Sequence, residues 1–301
     1  MKAKGCRLIV PDGSLMDTVH QLLAEADCPV SYPSSRAYRG IIANHRLFPP
    51  PFHLVHRMRP WDSPLVVAAQ RAELAFTGQD LIIEAGCQDQ VVVLDKYPLS
   101  RGGVGFTKLV LAVTSDSLIK SVTDLGPQHQ VATEYPNYAR QWLAAKGVNP
   151  RIVCCHGSLE AFADFADAIF ENTETGTSLK VGGWRIIEDL PKSQTCLITY
   201  SQALEDEVQN AIIQEFRILL NAVMAARGRV MIKCNVRPEN CTSIAALLPS
   251  AGRPTMSPLF GNDGFALEAV VMQSDVESLL PALKKAGATA IVVHNIDKFL
   301  P

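Results

Sequence analysis

Short apolar runs of strand length alternate with helical patterns along the first 180 residues, and this alternation constrains the fold more than any other feature. Apolar runs at 7–10, 52–58, 74–76, 109–114, 130–133, 151–155 and 168–170 are expected strands. Helical periodicity marks 15–26, 64–72 and 138–146, and Gly147 after the last suits the left-handed position that ends helices. Repeated strand–helix units imply an α/β fold with a mainly parallel sheet sandwiched by helices. Gly102-Gly103, followed by a new strand, is the expected crossing into a second lobe.

The pattern changes after 204–227, read as the longest uninterrupted helix and closed by Gly228. A strand at 230–236 and a helix at 238–248, opened by Pro238, come next. Strands at 255–260 and 265–272 are joined by the turn Gly261-Asn262-Asp263-Gly264. Ser274 is expected to cap a helix reaching Ala286, and 290–294 is the last strand. The order β-α-β-β-α-β is a ferredoxin-like unit, a module of its own. Many functions use that fold, so the order does not identify a ligand.

Composition removes several function classes. With 48% hydrophobic and 19% charged residues the chain can bury a sizeable core. A net charge of −2 gives no whole-chain attraction to nucleic acid or an anionic membrane. The apolar run Leu8-Ile9-Val10 stops at Pro11-Asp12-Gly13, too short for a signal-peptide core, and charges break every longer apolar segment. A soluble, cytoplasmic protein is expected. The eight cysteines form no C-x-x-C pair and are expected as free thiols. His53 and His56 are three apart in a strand-like run and face opposite ways, a poor metal pair.

Three segments could carry chemistry. Asp167 to Leu179 brings a short apolar strand into a hydroxyl-rich turn, Thr175-Gly176-Thr177-Ser178. Converging backbone N–H groups and hydroxyls in such a turn suit a phosphate monoester, and Glu171 just before it could accept bonds from ribose hydroxyls. Taken alone, the turn also reads as an ordinary loop. Gly157-Ser158-Leu159-Glu160 reads either as a ligand contact or as a helix cap with a first-turn acid. Arg57 and Arg59, at a strand end, suit phosphate, though the default reading is a solvated surface group. No G-x-G-x-x-G, Walker loop or G-x-S-x-G is present.

In combination and in order, these segments resemble the ATP phosphoribosyltransferase family in its long form. Val10-Pro-Asp12-Gly13-Ser14-Leu15 resembles the family's first strand and turn, and Arg59-Pro-Trp-Asp62-Ser-Pro64 its R-x-x-D-I-P run. Glu73-Leu-Ala-Phe-Thr77-Gly78-Gln-Asp80 is similar to D-L-G-I-T-G-x-D, and Val131-Ala-Thr-Glu134-Tyr-Pro-Asn137 to I-A-T-x-Y-P-N. Gly157-Ser158-Leu-Glu160 matches G-S-V-E, and 167–179 resembles the family's phosphoribosyl pyrophosphate loop. Ala246-Leu-Leu-Pro249 with Arg253-Pro-Thr255-Met-Ser-Pro258-Leu resembles the tail signature of the long form. Asp12, Ser14, Glu134 and Glu171 depart from the commoner Lys, Arg, Lys and Asp, and Lys108 or Arg101 is expected to supply missing positive charge.

The resemblance implies a two-lobed, periplasmic-binding-protein-like catalytic core with an ACT-like regulatory tail of the ferredoxin-like class. Residues 1–103 and 179–203 would form lobe I, 104–178 lobe II, 204–228 a connecting helix and 229–301 the regulatory domain. It implies attack of adenine N1 of ATP on the anomeric carbon of phosphoribosyl pyrophosphate, with Mg²⁺ and loss of pyrophosphate, as the first step of histidine biosynthesis. Glu171 would hold the ribose hydroxyls, and Thr173, Thr175, Gly176, Thr177, Ser178 and Leu179 the 5-phosphate loop. Gly13, Arg59, Asp62, Gly157 and Ser158 would complete substrate binding. A homo-oligomer, dimer or hexamer, inhibited by histidine is also implied; Asn235 and Thr255, at strand positions, either line the histidine pocket or merely cap strand ends. The competing expectations are a catalytically inactive regulatory subunit and a small-molecule sensor of the same two-lobed fold.

Overall fold

The computed structural model describes residues 5–100, 103–173, 175–249, 252–261 and 263–301. Arg101, Gly102, Glu174 and Asn262, which the sequence readings include, lie outside the described residues, as do the first four. The chain divides into two compact units. One holds Cys28–Glu215 with the preceding residues to Ala24, and the other holds Phe216–Pro301 with Glu25–Asp27.

The first unit contains two sheets, both mixed rather than mainly parallel. The seven-stranded sheet runs Val30–Ser31, Arg39–Ile42, Leu54–Met58, Leu8–Pro11, Leu74–Gly78, Thr195–Thr199, Val92–Tyr97. Leu8–Pro11 pairs in parallel with both neighbours, whereas Thr195–Thr199 runs antiparallel to both of its own. The five-stranded sheet runs Trp184–Ser193, Thr107–Thr114, Ala168–Thr173, Gln130–Thr133, Arg151–Cys154. There Thr107–Thr114 is antiparallel to both neighbours, and the other two pairings are parallel. Thr107–Thr114 and Thr195–Thr199 each follow a passage of the chain between sheets, whereas Arg39–Ile42, also antiparallel to both neighbours, lies within the first sheet's edge. Apolar runs report burial of a strand, not its direction.

Several elements carry no clear sequence signal. Trp184–Ser193 includes Glu188, Asp189 and Pro191 and is interrupted by two register shifts, so its alternation is lost. It falls inside 179–203, expected in lobe I, yet it belongs to the second sheet; only Thr195–Thr199 in that span joins the first. The short helix Gln79–Glu84 was also not anticipated. Glu73, in the T-G-x-D-like segment, is buried and ties the first strand in place by accepting from Arg7 N, Nε and Nη2 at 2.7–3.0 Å.

The expected unbroken helix is two: Ser201–Glu205 and Glu207–Ala226. Asp206 between them is extended (ψ 116°), and its Oδ1 accepts from Val208 and Gln209 N–H at 3.1 Å each, capping the second helix. In the second unit four antiparallel strands lie in the order Thr255–Pro258, Phe265–Met272, Arg229–Val236, Thr289–Asn295. That is the ferredoxin-like order. Val230, Ile232, Cys234 and Val236 alternate inward against Ile244, Leu279 and Leu283. Pro238 opens a 3₁₀ turn to Asn240, and the helix proper is Cys241–Leu247. Ser274 does not cap: it lies in the 3₁₀ turn Gln273–Asp275 and its hydroxyl bonds Asp275 Oδ1, while the helix is Val276–Lys285.

Candidate active site between the two lobes

A cavity of about 250 Å³ opens between the two sheets of the first unit. One wall brings Asp12, Ser14, Arg59, Trp61 and Asp80, and the other brings Glu134, Tyr135, Asn172 and Ser193. Polar side chains therefore converge from both lobes, as in α/β ligand sites at the carboxyl ends of strands.

Arg59 is the expected site residue that the cavity itself contains. It lies near Asp12, whose carboxylate is 3.2 Å from Arg57 Nε and 3.8 Å from Arg59 Nε. Arg57 stacks against the rings of Tyr32 and Tyr38 (5.4 and 5.2 Å), so the acid at 12 anchors an arginine pair. Gly13 has φ +92°, and a Cβ there would stand 2.8 Å from Arg59 Nη1. The positive φ favours glycine here, and the arginine tip lies over the turn. Asp62 is exposed, sits before the helix Ser63–Ala68 without capping it by its side chain, and does not line the cavity.

The strand Ala168–Thr173 presents the other expected residues. Its successive side chains leave opposite faces, so Asn172 points with Phe170 toward the cavity side and Glu171 lies with Ile169 on the reverse. Burial pushes the Glu171 carboxyl up to about 8; its bond from Asn172 N–H pulls the other way, and the charges of Glu134 and Glu160 add to the rise. After the strand the turn is internally braced. Thr173 Oγ1 accepts from Gly176 N–H at 2.8 Å, and the Thr175 and Thr177 hydroxyls are 3.0 Å apart. Gly176 is left-handed, φ +75°. Leu179 is buried in the core with Leu159, Ile169 and Trp184, so its side chain anchors the turn from below.

Gly157, left-handed at φ +97°, donates its N–H to Glu134 Oε1 at 2.8 Å. Ser158 is exposed and begins the 3₁₀ turn Leu159–Phe162 without a side-chain cap bond. Lys108 stands opposite Thr173 in register, on the same sheet face as the turn, and pairs with Asp189 at 2.7 Å. In the tail, Asn235 and Thr255 share the sheet face away from the helices: they pair with Ala266 and Glu268, two apart on one strand. Asn235 is half-buried and Thr255 exposed.

Sequence reasoning missed a polar network at the base of the cleft. Asp80, nearly fully buried, accepts from the Ser193 hydroxyl at 2.6 Å and from Tyr135, while its own N–H donates to Ser193 Oγ at 3.0 Å. Asn172 Nδ2 donates to the Tyr135 hydroxyl at 3.2 Å. Burial is the chief cause raising the Asp80 carboxyl and the Tyr135 phenol above their usual ranges. The signal available was an acid two residues beyond a fully buried Thr-Gly strand end.

These features define a two-lobed α/β protein with a polar cleft between its lobes. A family model described as ATP phosphoribosyltransferase matches residues 59–221, and one described as HisG, C-terminal domain, matches 226–298. An ATP phosphoribosyltransferase of Thermodesulfovibrio yellowstonii is 31% identical over 302 residues, covering 100% of each chain. One from Chlorobium phaeovibrioides is 34% identical over 295 residues, covering 98% of this chain and 97% of its own. The chain belongs to the ATP phosphoribosyltransferase family. In fold it is similar to a chain of the ATP phosphoribosyl transferase (HisG:HisZ) complex from Thermotoga maritima, with TM-score 0.57 and 19% identity over 72% of this chain and 98% of that one.

Proposed function

We propose that the cleft transfers the phosphoribosyl group of phosphoribosyl pyrophosphate to N1 of ATP, releasing pyrophosphate, the first step of histidine biosynthesis. One observation carries the reading of the site: the strand Ala168–Thr173 delivers Glu171 and the braced Thr175–Ser178 turn on one face, and Asn172 into the Arg59-bearing cavity on the other. In this reading the turn hydroxyls hold the 5-phosphate, Glu171 the ribose hydroxyls, and Arg59 faces the triphosphate. Gly157 and Ser158 would complete the phosphoribosyl pyrophosphate side, with Lys108 as the nearby cation. Adenine N1 is unprotonated at neutral pH, so alignment and charge neutralisation are the main requirements.

Mg²⁺ fits this site as an ion carried largely by substrate oxygens. Among the described residues no group of three His, Cys, Asp or Glu is arranged to hold a metal. Mg²⁺ commonly needs only one or two carboxylates beside phosphates and water, and the crowded charges of Glu134, Glu160 and Glu171 favour a nearby cation. Glu171 is the acid we assign to it. The ion would offset charge on the departing pyrophosphate.

The departures that motivate an inactive-subunit reading have structural partners: Asp12 anchors Arg57 and Arg59, and Glu134 holds Gly157. Histidine inhibition through Asn235 and Thr255, a homo-oligomeric assembly and a cytoplasmic location complete the proposal. No described helix is long and apolar enough to cross a membrane. The deciding assay is pyrophosphate release from ATP and phosphoribosyl pyrophosphate with Mg²⁺; no release from folded protein would overturn the reaction.

A further inference from the structure

The helix Gln79–Glu84 leaves the seven-stranded sheet directly after Leu74–Gly78, yet three of its side chains, Asp80, Leu81 and Glu84, reach the other lobe. Leu81 is part of the second lobe's core, with Leu111, Tyr135 and Phe170. At its far end the buried Glu84 carboxylate accepts from Asn137 N–H at 3.0 Å and Tyr138 N–H at 2.8 Å, and Asn137 Nδ2 donates back to the Glu84 carbonyl at 2.9 Å. These N–H groups are the first donors of the helix Pro136–Ala145, because Pro136 has none to offer. A carboxylate from one lobe therefore caps a ten-residue helix of the other, where the helix dipole favours negative charge. At its near end Asp80 grips Ser193, the last residue of Trp184–Ser193 before the chain passes back to the first sheet, and receives the Tyr135 hydroxyl.

The Asp80 grip lines the cavity itself, and the Glu84 grip lies at the other end of the same helix. Tyr135 is held between Asp80 and Asn172 and packs 4.6 Å, centroid to centroid, from Trp61 of the opposite wall. We propose that Glu84, with Asp80, is a positioning residue: the helix Gln79–Glu84 latches the two lobes at one spacing, so that the walls meet substrate already aligned. Neither acid needs to touch the reacting atoms. A preset spacing removes an ordering cost that substrate binding would otherwise have to cover. Losing it weakens binding of ATP and leaves turnover of the filled site largely intact. A merely structural role would lower the folded, active fraction, reducing kcat at unchanged KM. The inference rests on the reading of the cleft as the ATP site.

The test uses the full chain with Glu84→Ala, Glu84→Gln and Ser193→Ala, following initial rates and ATP binding by calorimetry. Glu84→Ala is expected to raise KM and Kd for ATP about tenfold, with kcat changed less than about threefold. Glu84→Gln, whose amide oxygen still accepts from the helix N–H groups, recovers most of that loss. Ser193→Ala raises KM and Kd in the same direction by a smaller factor, and tests the latch should Glu84→Ala fail to fold. Unchanged ATP KM and Kd in folded variants, or a fall in kcat alone, would overturn the latch. Wild-type protein that binds ATP but releases no pyrophosphate would sink the reaction and leave the binding comparison to judge the latch.

Discussion

Glu134 Oε1 accepts the Gly157 N–H at 2.8 Å, joining the end of the strand Gln130–Thr133 to a left-handed glycine on the neighbouring loop. The residue that departs in charge from the family's commoner lysine thus has its own task in this chain. Its side chain also lines the cavity, and its charge contributes to the raised carboxyl of Glu171.

Restoring the commoner residue should therefore harm the enzyme. Lysine has no acceptor for the Gly157 N–H. Glu134→Lys is expected to lower kcat/KM for phosphoribosyl pyrophosphate about tenfold, whereas Glu134→Gln keeps the acceptor and most of the activity. Steady-state kinetics of both variants with ATP saturating would check this. A more active Glu134→Lys enzyme would contradict it.

Gly176 has φ +75°, and a Cβ would stand 3.3 Å from Ile186 Cδ1. Gly176→Val combines a strained backbone for a β-branched residue with a bulky group at the face offered to phosphate. KM for phosphoribosyl pyrophosphate should rise at least about tenfold, the factor that about 1.4 kcal/mol of lost binding gives. Equal KM values in the two proteins would remove the turn from the phosphate site.

On the proposed role of Glu171, Glu171→Gln keeps the side-chain shape but would lose charge-assisted bonds to ribose hydroxyls, about 1–2 kcal/mol. kcat/KM should fall roughly 5- to 30-fold at pH above 8. On the proposed role the ionised form of Glu171 acts, so kcat/KM of the wild type should rise with pH through about 8. That rise should be absent from the Gln variant. A pH–rate profile of both proteins would show it.

The same carboxyl predicts a stability trend. Its folded pKa is raised from 4.5 to about 8, so the folded state keeps a proton that the unfolded chain loses between those values. The associated stability is complete below pH 4.5 and is lost as pH rises through about 8. Glu171→Gln should then melt higher than wild type at pH 8 and converge with it near pH 4.5. Calorimetric melting at both pH values measures the gap; a constant gap would refute the assignment of burial as its cause.

Histidine at millimolar concentration is expected to inhibit the full chain, with a coupling of about 1–3 kcal/mol. A chain truncated after Arg227 should lose inhibition before it loses all activity. Absence of histidine binding by calorimetry to the intact protein would leave the tail as an assembly element only.

The sequence by itself determined the class of fold, the tail module and the candidate segments for chemistry. Buried strands announce themselves through apolar runs such as Leu8-Ile9-Val10, and the turn Thr175–Ser178 through its composition. The β-α-β-β-α-β order was legible because each tail element has its own period and punctuation. Tertiary structure alone decided strand direction, the membership of Trp184–Ser193 in the second sheet, and the break at Asp206. It also decided which acids bridge the two lobes. Asp80 meets Ser193 across 113 residues, and Glu84 meets Asn137 across 53. Side-chain periodicity encodes which face is buried, but a long-range partner exists only once packing has brought two segments together and excluded water from between them.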